Sequence, residues 1–165
     1  MRVETLRNGL EVTIRPLQAG DRDAIAAAVR ALDRDSVYRR LFGYRKELTE
    51  AGLDRIMRVD PERDAMLVVT ALRDGREAVI GSGRYVGTRD GCAEIAFMVD
   101  GKCQGLGMAG RLLGHLARIA RERGLAEFEA EVLAENGAML AVFARSGLAM
   151  TKRRQGGVVH VTLAL

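Results

Sequence analysis

Residues 92–110 read Cys92-Ala93-Glu94-Ile95-Ala96-Phe97-Met98-Val99-Asp100-Gly101-Lys102-Cys103-Gln104-Gly105-Leu106-Gly107-Met108-Ala109-Gly110. The first eight alternate as a strand does. Cys92, Glu94, Ala96 and Met98 fall on one face, and Ala93, Ile95, Phe97 and Val99 on the other. Three glycines follow, where the chain turns from strand to helix. Glycine lets the backbone turn tightly and bring its N–H groups up to an anion, and a helix N-terminus adds partial positive charge. The physical reading is a diphosphate cradle; the plainer one is an ordinary strand-to-helix turn.

Downstream, the spacing predicts a helix over 106–123 with Ala109, Leu112, Leu113, Leu116 and Ala120 on its buried stripe. Gly124 ends it, and Arg121 and Arg123 suit the dipole of its last turn. A strand (127–133), a helix (136–145) and two strands (148–153, 157–164) complete the chain. Upstream, runs 65–72 and 78–87 end at Asp74-Gly75 and Asp90-Gly91. Links this short join antiparallel neighbours, not βαβ crossovers. Residues 2–6 and 10–16 form a hairpin around Asn8-Gly9, a dipeptide that favours a type I′ turn. Asp21 is read as the cap of a helix carrying Ile25, Ala28, Val29 and Leu32. Residues 36–43 read as a short helix, and Thr49 as the cap of one carrying Leu53, Ile56 and Met57. The expected fold is α/β (α+β by some schemes): a mixed, mainly antiparallel sheet of about seven strands with helices on both faces.

Composition narrows the function classes. A chain of 165 residues, 48% hydrophobic and 29% charged, is expected to form a single domain over 1–165. No eighteen apolar residues run together, and the polar, alternating N-terminus has no secretory h-region. Two cysteines and two histidines leave few routes to a metal centre, and a reducing cytoplasm is the simplest compartment. The net charge of +4 favours anions. Interspersed acids and scarce aromatics disfavour nucleic acid and suit a phosphate-bearing small ligand. Gly105-x-Gly107-x-x-Gly110, with Glu127, Glu129 and Glu131 further on, also matches a dinucleotide fingerprint. The antiparallel meander before the loop and the short chain after it count against that reading.

Gln104, Gly107 and Ala109 form a Gln-x-x-Gly-x-Ala pattern that resembles the acyl-CoA pyrophosphate loop of the GNAT superfamily of N-acetyltransferases. Ala93–Val99 resembles that family's fourth strand, and Asn136 with Phe143, Gly147 and Leu148 its second CoA motif. Thr13-Ile14-Arg15-Pro16-Leu17 before a helix is also similar. The resemblance spans roughly residues 11–150. Ser36, Arg40, Phe42, Glu47-Leu48 and Val59-Asp60 resemble the acetyltransferase domain of bacterial Pat-type protein lysine acetyltransferases.

The resemblance implies acyl transfer from acetyl-CoA to a primary amine. A protein lysine leads as acceptor, with a small amine as the alternative. No membrane is implied, and a homodimer is left open. Backbone N–H groups of Gln104, Gly105, Leu106, Gly107, Met108, Ala109 and Gly110 would grip the pyrophosphate. Met98 and Val99 would pair with the pantetheine, Phe97 would lie near the thioester, and Asn136 and Phe143 would supply the second motif. Either Arg111 or Arg145 could reach a phosphate. Donors at a bulge in the fourth strand would receive the oxyanion. Glu94 is the expected general base: apolar surroundings would desolvate it and raise its pKa, and the resemblance implies the same role. Where the family has a tyrosine acid this chain has Phe143, which cannot donate a proton. That departure keeps a catalytically degenerate acyl-CoA-binding sensor as an alternative. Cys103 lacks a nearby histidine in sequence and is a weak nucleophile candidate.

Overall fold

A computed structural model describes residues 1–33 and 49–165. The 36–43 stretch and Glu47-Leu48 lie outside the described residues. The elements are β1 (Arg2–Thr5), β2 (Glu11–Pro16), α1 (Arg22–Asp33), α2 (Glu50–Met57), β3 (Ala65–Arg73), β4 (Arg76–Arg89), β5 (Cys92–Val99), α3 (Met108–Glu122), β6 (Glu127–Leu133), α4 (Gly137–Ala144), β7 (Ala149–Gln155) and β8 (Val158–Ala164). Among the described residues eight strands lie in the order β1-β2-β3-β4-β5-β6-β8-β7. Every neighbouring pair is antiparallel except β5 with β6. The mixed sheet is as expected, with one strand more than the expected seven.

Turn chemistry sets the meander. Asp74 and Gly75 both have positive φ, 51° and 75°, as a type I′ turn requires. The Asn8-Gly9 turn is not type I′. Only Gly9 has positive φ; its N–H donates to Leu6 O at 2.9 Å, and Leu6 N–H donates to Leu10 O at 2.8 Å. This is a three-residue loop with a glycine bulge, held by Asn8 Oδ1 accepting from Leu10 N–H at 3.0 Å. It makes Arg7 a turn residue.

The helices divide between the faces. Leu112, Leu113 and Leu116 of α3 are buried and pack with Ile95, Phe128, Val161 and Phe143 in one core. Each such side chain is worth about 1.5–3 kcal/mol when fully buried. Gly81 of β4 permits this close approach, because a Cβ there would collide with the Met108 side chain at the start of α3. On the other face Ile25 and Val29 of α1 and Leu53 of α2 pack on Met66, Val68 and Val79.

Two caps differ in outcome. Thr49 Oγ1 accepts from Gly52 N–H at 3.0 Å and caps α2 as expected. Asp21 instead turns back from the start of α1: its carboxylate takes Arg15 Nη1 and Nη2 at 2.8 and 2.7 Å and Gln18 N–H at 2.7 Å. A mostly buried guanidinium on β2 outcompetes the helix amides for that carboxylate.

Candidate active site

The parallel contact of β5 with β6 is short. Register pairs run from Cys92↔Glu127 to Glu94↔Glu129 and stop there, while β5 continues to Val99 and β6 to Leu133. The two strands fork beyond Glu94. Along its other edge β5 pairs with β4 without a break from Ala93 to Val99. The irregularities of β4 fall beside Ile80 and Thr88, so the bulge expected in β5 is not there.

On the α3 side of the fork a cavity of about 360 Å³ opens between the end of β5, the glycine loop and α4. Gly105 and Gly107 have φ of +79° and +86°, so both require glycine's freedom. Gly107 is the residue before α3, and no side chain caps that helix. The first-turn amides of α3 therefore face the cavity mouth without intrahelical partners. Asp100 fixes the chain leading in. Its carboxylate accepts Lys102 N–H at 2.9 Å and pairs with Arg73 at 2.9 Å. Burial raises its pKa, but those bonds outweigh it and hold the carboxyl below the usual range.

Of the residues expected at the donor site, Phe97, Val99, Gln104 and Gly105 line this cavity, as do Gly107, Met108, Ala109 and Gly110. Met98, Leu106, Asn136 and Phe143 do not. Met98 points to the opposite face and packs against the α1–α2 core. Leu106 packs into the α3 core. Asn136 is buried and caps α4, its Oδ1 accepting Met139 N–H at 3.1 Å. Phe143 is 1% exposed and sits behind the wall, its ring 6.3 Å from that of Phe97. Arg145 lines the cavity, whereas Arg111 is turned away, donating to Thr5 O at 2.8 Å. Cys103 also lines it, buried and 3.6 Å from Arg73. Sequence reasoning missed Arg7, a lining residue 98 positions before Gly105. Its one local signal is its seat in the Asn8-Gly9 turn.

The fork's other face is polar. Glu94 is exposed, not desolvated as expected, because β5 alternation turns it away from the α3 core. It makes no ion pair or side-chain hydrogen bond among the described residues. A second cavity, of about 440 Å³, is lined by Glu94, Glu129 and Glu131 together with Lys152, Arg153 and His160. Arg89 bridges Glu127 and Glu129, and His160 lies 3.5 Å from Glu131. Cys92 donates to Glu127 at 3.1 Å, which with burial pushes its thiol pKa up.

A glycine-rich helix N-terminus thus lines one side of the strand fork and an exposed carboxylate the other. The chain belongs to the GNAT acetyltransferase family: the model of the acetyltransferase (GNAT) domain matches residues 11–149. It is an acyltransferase of that class, and GNAT domains use acetyl-CoA as cosubstrate.

Among its relatives is an acetyltransferase of Pseudomonas aeruginosa, 32% identical over 138 residues, covering 83% of this chain and 74% of that protein. The acetyltransferase Pat of Mycolicibacterium smegmatis is 33% identical over 156 residues. That match covers 93% of this chain and 46% of the relative, so this chain spans less than half of that protein. The crystal structure of the GNAT domain of S. lividans PAT superposes with a TM-score of 0.84 at 28% identity, covering 99% of this chain and 96% of that one. No helix among the described residues is long and apolar enough to cross a membrane.

Proposed function

We propose that this domain moves the acetyl group of acetyl-CoA to a protein lysine side chain, with Glu94 as general base. The observation that carries the reading is the position of Glu94 at the last paired residue before the fork. There the donor groove and the acidic face come within one strand of each other. The glycine loop and the first turn of α3 suit the diphosphate, and the more apolar wall of Phe97, Val99 and Met139 suits the pantetheine arm. Glu94 and Glu131 offer carboxylates to a cationic acceptor on a wall that Lys152 and Arg153 also line.

In this reading a lysine ammonium enters from the acidic side and loses a proton toward Glu94. The free amine attacks the thioester carbonyl, the C–S bond breaks to release the CoA thiolate, and the second amine proton passes through water to that thiolate. Glu94 and Phe97 are three residues apart on β5, about 10 Å at strand rise. One water between carboxylate and amine fits that span. In this reading the thiolate departs unprotonated; among the described residues no tyrosine lines the donor cavity. A thiol pKa of about 8.5 makes this tolerable. Family membership supports an enzyme over the sensor. A small primary amine is the second acceptor class, which a cavity of about 440 Å³ has room to hold.

The test is thiol release from acetyl-CoA with a lysine-peptide library and a panel of small amines. Turnover on peptides supports the reading. Turnover on small amines alone replaces the acceptor, and silence across both panels sinks it.

A further inference from the structure

Arg7 stands at the tip of the β1–β2 hairpin and is exposed. Its Nη1 donates to Gly105 O over a long 3.4 Å, and its Nε lies 3.5 Å from where a Gly107 Cβ would be. The guanidinium therefore lies directly over the glycine loop, and it makes no ion pair among the described residues. It lines the donor cavity, as does Arg145 of the last turn beyond α4.

The hairpin is fastened to the helix that the loop begins. Arg111 Nη2 donates to Thr5 O at 2.8 Å, and Glu4 lies 3.3 Å from His115 Nε2 and 3.6 Å from Arg111 Nη1. Arg111 and His115 are four residues apart and share one face of α3. Two clamps on that face hold β1, so the turn beyond β1 projects over the residues before α3. Arg111, a candidate phosphate ligand by sequence, is spent on this clamp and delivers the charge through a different arginine.

A cation without a carboxylate partner, held over left-handed glycines at a helix N-terminus, is arranged for an anion. A planar guanidinium offers paired donors that match two oxygens of a diphosphate. We propose that Arg7 is a diphosphate-binding residue. It exchanges its weak bond to Gly105 O for paired bonds to the CoA diphosphate and closes the cradle from the N-terminal side. This rests on the CoA reading of the groove.

The test is calorimetry on the full chain with three probes: CoA, 3′-dephospho-CoA and pantetheine. Arg7→Gln is expected to weaken CoA and 3′-dephospho-CoA alike, by about tenfold, the worth of a charge-assisted pair. Pantetheine binding stays unchanged, and the loss shrinks in high salt. Arg121→Gln, at the far end of α3, leaves all three unchanged. Undiminished CoA binding by Arg7→Gln overturns the proposal. So does a loss confined to CoA, which assigns Arg7 to the 3′-phosphate, and so does an equal loss for pantetheine, which marks a collapsed groove. If the wild type itself fails to bind CoA, the donor reading falls first, and that outcome is separate from the other three.

Discussion

Glu94 and Glu129 stand opposite each other at the last register pair of the parallel β5–β6 contact. Among the described residues only the second is neutralised: Arg89 reaches Glu129 and Glu127, while Glu94 has no such partner there. Two neighbouring carboxylates thus differ in availability. The clamped one is held by Arg89, and the open one is the proposed base.

Glu94→Gln keeps the shape and removes the basicity. Acetyl transfer is expected to fall about 10²–10⁴-fold, the usual worth of a general base, with CoA affinity unchanged. Steady-state rates and calorimetry on the same preparations check it. Unaltered turnover from pH 6 to 9 moves the base elsewhere.

Gly107→Glu introduces a side chain at a φ of +86°, and a negative charge where the cradle needs positive potential. CoA binding should vanish while the circular dichroism spectrum persists. Retained CoA binding with this variant excludes the loop as the diphosphate site.

Phe143→Tyr tests whether a phenol at this position can serve as the acid. Phe143 is sealed in the core behind Phe97, so a new hydroxyl there has no water to meet. A destabilisation of about 1–3 kcal/mol is expected, with less than a few-fold change in rate. Chemical denaturation and thiol release measure the two effects. A large gain in rate would mean that the hydroxyl reaches the sulfur and that the wild type is limited by leaving-group protonation.

The Arg15–Asp21 pair should govern acid stability. The hydrogen bonds from Arg15 hold the Asp21 carboxyl below the usual carboxylate range against the opposing effect of burial. A carboxyl with a lower pKa folded than unfolded stabilises the fold above its unfolded pKa of about 4, and that contribution is lost as pH falls through the folded value. Asp21→Asn is expected to cost about 2–3 kcal/mol at pH 7, less than a fully orphaned charge, because Glu77 still pairs with Arg15 at 2.8 Å. The variant's denaturation midpoint should also vary less below pH 4 than the wild type's. A parallel decline in both proteins would assign acid sensitivity to other carboxylates.

Much of the architecture was local and therefore legible. Asp-Gly pairs specified the meander because positive φ is a property of the residues in the turn. The 3.6-residue stripe of α3 and the two-residue alternation of β5 are likewise written into consecutive side chains. The glycine loop could be read because an unprotected helix N-terminus needs only the loop and the helix.

Asn136 and Phe143 matched a motif yet lie outside the groove, since a motif records spacing and not which side of a packed helix faces the cavity. The solvation of Glu94 depended on the face it shares with Glu129, Glu131 and Thr162, and these approach only when β6 and β8 add to the sheet.

Local steric and hydrogen-bonding preferences thus determined the elements, their order and the donor loop from sequence alone. The fork beside Glu94, the burial of Phe143 and the seat of Arg7 over Gly105 each required distant segments to meet. Long-range packing, which no run of consecutive residues encodes, assigned those side chains their neighbours.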